Sequence, residues 1–189
     1  MTSKSPHHVA ILGSGQMGLV MADAMAHRGA RVTMWGPHQE TVDRLAAERC
    51  IPGRLDGFHL NEAVRVTSDP AEAFEGVTVA LNAIPAQYIR PTWLPLFQAS
   101  PAGMPIISTA KGIENSTLMR PTEVLASLAE AAHGVPSPVS VLSGPTIAAE
   151  LAKRLPAALV AASSSQDFSR VVQDLLDVPW IRTYTLDDP

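Results

Sequence analysis

Short apolar runs and amphipathic stretches alternate along the whole chain. Residues 9–12 (V-A-I-L) form a continuous apolar run closed by glycine, as in a strand covered on both faces, and the Ala- and Met-rich stretch behind it is helical up to Arg28. Gly29 stops that helix, residues 30–35 (A-R-V-T-M-W) make a second strand, and residues 39–49 carry helical spacing at Val42, Leu45 and Ala46. Residues 50–62 read as irregular, punctuated by Pro52, Gly53 and Gly57. A short strand at 64–67 precedes a helix opened by Asp69-Pro70, with proline at its first helical position. The most apolar strand, 77–84 (V-T-V-A-L-N-A-I), ends at Pro85, and a helix over 87–97 is interrupted near Pro91 and Pro95. Strands at 105–109, 139–142, 159–162 and 180–185 then alternate with helices at 121–132, 146–154 and 167–176.

Regular alternation predicts right-handed crossovers and an α/β fold: a doubly wound, mainly parallel sheet with helices on both faces, formed by residues 1–189 as one domain. No internal repeat, heptad run or low-complexity tract breaks the pattern. Composition agrees with it. The chain has 189 residues, of which 46% are hydrophobic and 17% charged, enough for a well-buried core and too apolar for disorder. A net charge of −4 without a basic run argues against a nucleic-acid partner or an anionic membrane surface. The single cysteine, Cys50, excludes an internal disulfide or a cysteine-rich metal site and reads as a buried, bland thiol. No apolar run reaches the roughly 18–20 residues that cross a bilayer, and the polar N-terminus lacks the apolar centre of a signal peptide, so a cytoplasmic location is expected.

The first strand-to-helix turn carries candidate chemistry. Glycines at 13, 15 and 18 have the spacing of a dinucleotide fingerprint: Gly13 for the tight turn, Gly15 for backbone approach to a pyrophosphate, Gly18 for close helix packing. The following helix aims its unpaired N–H groups at the same place. Glycine turns also end strands for steric reasons alone, but a strand before and a helix after are the context that a Rossmann-type nucleotide site requires. A plain NAD site would place Asp or Glu at the tip of the second strand; here W-G-P-H-Q-E at 35–40 has no acid at the tip and no arginine to attract a 2′-phosphate. His38 is a weak candidate partner against the plainer reading of a solvated loop histidine, and the choice between NAD and NADP stays open.

Ligands of open α/β sheets gather outside the carboxyl ends of strands, and three further strand ends are informative. Pro85-Ala86-Gln87 follows the third long strand. Lys111, followed by Gly112, stands where an ammonium can meet a phosphate or a developing alkoxide, or is simply a surface lysine. Gly144 and Thr146, on either side of Pro145, offer backbone N–H groups and a hydroxyl at a helix start, or an ordinary threonine cap.

Taken together, the segments G-S-G-Q-M-G (13–18), V-T-M-W-G (32–36), I-P-A-Q-Y-I-R (84–90), S-T-A-K-G-I-E (108–114), V-L-S-G-P-T-I-A-A-E (141–150) and I-R-T-Y-T (181–185) resemble, in order, the N-terminal domain of bacterial NAD(P)-dependent glycerol-3-phosphate dehydrogenases. The resemblance implies hydride transfer between NAD or NADP and the pair dihydroxyacetone phosphate and sn-glycerol 3-phosphate, a step toward glycerophospholipids. By motif position it implies cofactor contacts at Gly13, Gly15, Gln16, Met17, Gly18, His38, Pro85, Lys111 and Ala148. It assigns a catalytic role to Lys111, and substrate contacts to Lys111, Gly144 and Thr146, with no metal. The family loop usually reads G-A-G-S/A-W/Y-G-T, so Gln16, Met17 and Leu19 depart from it, as do Pro37, where relatives carry Arg or His, and Ala86, where they carry Ser. The family's second catalytic lysine lies in a helical C-terminal domain that the resemblance places after Pro189; Lys153 falls at a variable helix position and does not replace it. The resemblance allows a homodimer for the full-length form while the sequence leaves the oligomeric state open, and the present chain is expected to bind cofactor with little turnover. The competing expectation is a non-catalytic, regulatory nucleotide-binding module.

Overall fold

The computed structural model describes residues 7–187; the polar N-terminal stretch read against a signal peptide and the last two residues, 188–189, lie outside the described residues. The strands are β1 (His8–Leu12), β2 (Arg31–Trp35), β3 (Arg65–Thr67), β4 (Val79–Asn82), β5 (Ile106–Ser108), β6 (Val139–Ser143), β7 (Ala157–Ala162) and β8 (Ile181–Leu186). The helices are α1 (Gln16–Arg28), α2 (Gln39–Glu48), α3 (Pro70–Phe74), α4 (Ile89–Leu96), α5 (Pro121–His133), α6 (Ala148–Ala152) and α7 (Gln166–Leu175), with a 3₁₀ turn over Ala86–Tyr88 ahead of α4.

All eight strands form one sheet in the order β3-β2-β1-β4-β5-β6-β7-β8. The chain winds outward from β1 to β3 and then returns to β4, so the order reverses between β1 and β4. That topological switch is where an open α/β sheet splays to admit a ligand. β1 to β6 are mutually parallel, whereas β7 runs antiparallel to β6, pairing Val141 with Ala162 and Ser143 with Val160; β8 then runs parallel to β7. The expected parallel sheet therefore holds for the half that bears the strand ends of interest and reverses at its far side.

Alternate residues of each strand feed two cores. Val9 and Ile11, with Val32, Met34 and Leu81, pack under Leu19, Met21 and Met25 of α1, and this core continues through Leu142 and Leu159 to Phe168 and Val172 of α7. Ala10, Leu12, Ala80 and Ile106 face the other way, onto Phe74, Ile89, Trp93, Leu125 and Leu128. On β8 the alternation is visible directly: Ile181 and Thr183 are buried, while Arg182 and Tyr184 are exposed.

Several elements differ from their expected bounds for identifiable reasons. The strand expected over 77–84 is shorter because Asn82, fully buried, donates from Nδ2 to Ile84 O and Ser108 Oγ (both 3.3 Å) and accepts from Trp93 Nε1 at 2.8 Å, turning the chain out of the ladder. Pro91 does not interrupt α4, because it sits in the first turn, where its missing N–H has no helical partner in any case; Pro95 lies inside the last turns. The helix expected over 146–154 is the five-residue α6, and its N-cap is Ile147, so Thr146 is not the cap residue. Cys50, expected to be buried, is half-buried and unpaired. No helix among the described residues is long and apolar enough to cross a membrane.

Candidate functional site

The three glycines of the first turn divide their work. Gly13 has φ +112°, a left-handed conformation that favours glycine, and its N–H donates to Trp35 O at 2.9 Å, tying the turn to the end of β2. A Cβ at Gly18 would stand 2.0 Å from Gly13 O, so α1 approaches β1 only because that residue has no side chain. Gly15, the N-cap of α1, needs glycine for neither reason: its φ is −72°, and a Cβ built there meets nothing within 4 Å. The space in front of Gly15 is open crevice. No acidic residue occupies the first turn of α1, so the unpaired N–H groups at that end face the crevice without a competing carboxylate.

The crevice has a volume of about 670 Å³, within the range of small-molecule sites, and opens between the ends of β1, β2 and β4. Gly13, Ser14, Gly15, Gln16 and Met17 form one wall; Trp35, Pro37 and His38 close the β2 side; Ala83, Ile84, Pro85, Tyr88 and Thr92 close the β4 side. Trp35 is held there by its indole N–H, which donates to Ser68 O at 3.0 Å. The sequence-derived candidates Gly13, Gly15, Gln16, Met17, His38 and Pro85 therefore meet in one place.

Arg54 also lines this crevice, and sequence reasoning missed it. It comes from the stretch 50–62 that reads as irregular, where a small turn (Arg54 N–H to Ile51 O, 3.0 Å) swings its side chain across to donate from Nη1 to Ser14 O at 2.6 Å. An arginine, absent from the tip of β2, thus reaches the crevice from another segment. A glycine-punctuated loop with one cation beside a nucleotide fingerprint was the available signal, and its destination depended on the tertiary fold.

Lys111, Gly144 and Thr146 form a second cluster, apart from the residues that line the crevice. Lys111 is exposed, and its Nζ donates to Gly144 O at 3.0 Å. Gly112 behind it has φ +104°. Gly144 is fixed sterically: a Cβ there would lie 2.5 Å from Ala158 O on β7. Thr146 N–H donates to Gly144 O at 2.9 Å, and because Ile147 occupies the cap position the Thr146 hydroxyl is not engaged in capping α6. Ala148 is buried in the core that includes α1, and Lys153 lies at the C-cap of α6, with its side chain outside both clusters. Among the described residues no group of three or more His, Cys, Asp or Glu side chains is placed to hold a metal ion.

Two ionisable groups near these clusters have shifted titration. Burial pushes the Asp23 carboxyl on α1 up, opposed by the Arg154 guanidinium 3.8 Å away. Arg90, hydrogen-bonded to Glu114, followed by the Thr117 hydroxyl, holds the Glu114 carboxyl below its ordinary range.

Residues 8–169 match the family model described as the N-terminus of NAD-dependent glycerol-3-phosphate dehydrogenase. The chain belongs to this family. Similar curated proteins include the glycerol-3-phosphate dehydrogenase [NAD(P)+] 2 of Mycobacterium tuberculosis, 37% identical over 183 residues, covering 95% of this chain and 53% of the relative. The Corynebacterium glutamicum glycerol-3-phosphate dehydrogenase [NAD(P)+] is 34% identical over 180 residues, with the same coverage of 95% and 53%. The solved glycerol-3-phosphate dehydrogenase of Coxiella burnetii superposes with a TM-score of 0.87 at 28% identity, over 96% of this chain and 54% of that one. The chain thus spans about half the length of the curated relatives it matches. The α/β fold anticipated from the sequence agrees with that of the solved relative.

Proposed function

We propose that this chain is the dinucleotide-binding half of an enzyme that interconverts dihydroxyacetone phosphate and sn-glycerol 3-phosphate. The observation that carries the reading is Gly15: the one glycine of the turn with no steric or backbone requirement faces the open crevice at the head of α1. A pyrophosphate there would meet the unpaired N–H groups of Gln16 and Met17. His38 and Arg54 flank the β2 side, where the adenosine ribose lies in a nucleotide site of this topology. With an arginine present and no acid at the strand tip, NADP fits better than NAD.

A bound nicotinamide dinucleotide would supply or accept the hydride. Lys111 sets a positive charge beside Gly144, against the oxygen or phosphate of a small phosphorylated substrate, where it stabilises negative charge as it develops. The Thr146 hydroxyl and the backbone at Gly144 are the matching substrate contacts, and the motif position of Ala148 supports packing against the cofactor. A single half-buried, unpaired cysteine is in keeping with a reducing, cytoplasmic setting.

The test is a titration of the purified chain with NADPH and NADH, followed through Trp35 in the crevice wall and the fluorescence of the reduced nicotinamide. Both are expected to bind, NADPH more tightly. Arg54→Ala removes the bond to Ser14 O in both complexes, so the ratio of the two affinities isolates the 2′-phosphate contact. That ratio should fall about tenfold, the worth of one charge-assisted hydrogen bond. Failure of both dinucleotides to bind overturns the reading and favours a module without a working site.

A further inference from the structure

Lys111 sits on an exposed loop whose neighbours Gly112 and Ile113 are also exposed, a setting that by itself leaves a lysine free to wander. Two side chains from the segment after β4 hold this loop. Gln87 grips its backbone from both sides: Nε2 donates to Ile113 O at 2.6 Å, and Oε1 accepts from Asn115 N–H at 3.1 Å. Arg90 makes a two-pronged pair with Glu114, from Nε to Oε1 at 2.9 Å and from Nη2 to Oε2 at 2.8 Å. Glu114 is buried, and it anchors the rest of the loop through Thr117 Oγ1 to its own Oε2 (2.5 Å), its N–H to Met119 O (2.9 Å) and Leu118 N–H to its carbonyl (2.8 Å). Tyr88 and Thr92, interleaved with Gln87 and Arg90, line the dinucleotide crevice.

We infer that Gln87 and Arg90 are positioning residues for Lys111. They act through Ile113, Glu114 and Asn115 to hold the ammonium at Gly144 O, at a fixed place relative to the crevice wall that Tyr88 and Thr92 of the same segment line. The planar guanidinium is suited to this task, because a forked pair fixes direction as well as distance, which a point charge does not. An ordinary surface ion pair adds little to stability and orients nothing else. Here the acid is buried and continuous with the lysine's own loop. The importance of the strap for chemistry rests on the function proposed above, but its existence does not.

The chain contains only three lysines, Lys4, Lys111 and Lys153, so selective ¹³Cε-lysine labelling of the full 189-residue chain gives three side-chain signals, with Lys111→Arg assigning the one of interest. In the wild type the Lys111 signal is expected away from the free-lysine position. Gln87→Ala and Arg90→Ala should each move it toward that position and sharpen it, leaving Lys153 unmoved. Gln87 is exposed, so its variant keeps the test valid if removing Arg90 impairs folding. A general loss of stability would instead shift Lys111 and Lys153 together, and that result overturns the inference. So does a wild-type Lys111 already at the free position, or one unmoved by Gln87→Ala. Dinucleotide titration of the same samples judges the proposed function separately: a wild type that binds neither NADPH nor NADH, yet shows a held Lys111 released by Gln87→Ala, refutes that function and supports the strap.

Discussion

A methyl group at position 15 and one at position 18 would meet opposite surroundings, and the contrast separates binding from folding. At Gly18 the added atom collides with Gly13 O at 2.0 Å, backbone that cannot yield without moving α1 off β1. Gly18→Ala should destabilise the chain by about 1–3 kcal/mol, as for an overpacked core, seen as a lower urea midpoint. At Gly15 the methyl enters open crevice, so Gly15→Ala should leave the urea midpoint nearly unchanged and weaken NADPH binding severalfold. Equal loss of stability in both variants would sink the division of labour. The sequence spacing marked all three glycines and gave Gly13 to the turn, Gly15 to a ligand and Gly18 to packing. The atoms that make Gly13 and Gly18 sterically indispensable, from Ala83 and from the turn itself, are brought in only by the fold. Arg54 was hidden for a related reason: its bond to Ser14 O joins residues far apart in the chain, and periodicity carries no information about such pairs.

Among the elements, β1 stores a pH dependence of its own. His8 is 5% exposed, its Nε2 is 2.9 Å from Thr33 Oγ1 on β2, and its Nδ1 has no hydrogen-bond partner. Burial, then the nearby Arg31 charge, lower its pKa, so the folded chain keeps this ring neutral. The unfolded chain takes up a proton near pH 6.5 and the folded one only at lower pH. The stability due to neutral His8 is therefore fully present above about pH 6.5 and declines below it, until the folded ring also protonates. Urea midpoints measured from pH 7.5 down to 5 should fall for the wild type and fall less steeply for His8→Gln, which keeps a partner for Thr33 without titrating. Equal slopes would remove His8 as the cause. The element pattern itself was largely legible, since residues 9–12 run apolar into Gly13 and residues 77–84 run mostly apolar between Gly76 and Pro85. What escaped were ends set by side chains from elsewhere. Asn82 closes β4 through Trp93 and Ser108.

Across the whole molecule, the crevice and the Lys111–Gly144 cluster are neighbouring stations along the carboxyl ends of one set of parallel strands, β1, β2 and β4 for the first and β5 and β6 for the second. Lys111 is the one ionisable side chain in the cluster of Lys111, Gly144 and Thr146, and a group that stabilises charge does not by itself deliver and accept a proton. The purified chain is thus expected to bind NADPH but to oxidise it with dihydroxyacetone phosphate no faster than a protein-free blank, with cofactor absorbance as the measure. Sustained turnover would place the proton donor within these residues. Strand order was legible only in part: alternation of strand and helix anticipated the doubly wound half, while the reversal at β7 has no counterpart in the hydrophobic pattern, because a strand reads the same in either direction.

That reversal decides where the molecule can be tethered. Leu186 pairs with Ala162, and Ser163, next in the chain, donates its hydroxyl to Val139 O at the beginning of β6. β8 therefore finishes at the edge of the sheet opposite Gly144 and the crevice mouth. Polypeptide joined behind it must climb back along six residues of strand, about 20 Å, before reaching the level of the crevice, a span of about 13 residues if helical. The outward side of β8, with Tyr184 and Leu186 exposed, lies along that climb. A label, surface linker or reporter attached at this end hangs from the floor of the molecule and leaves the mouth of the crevice clear.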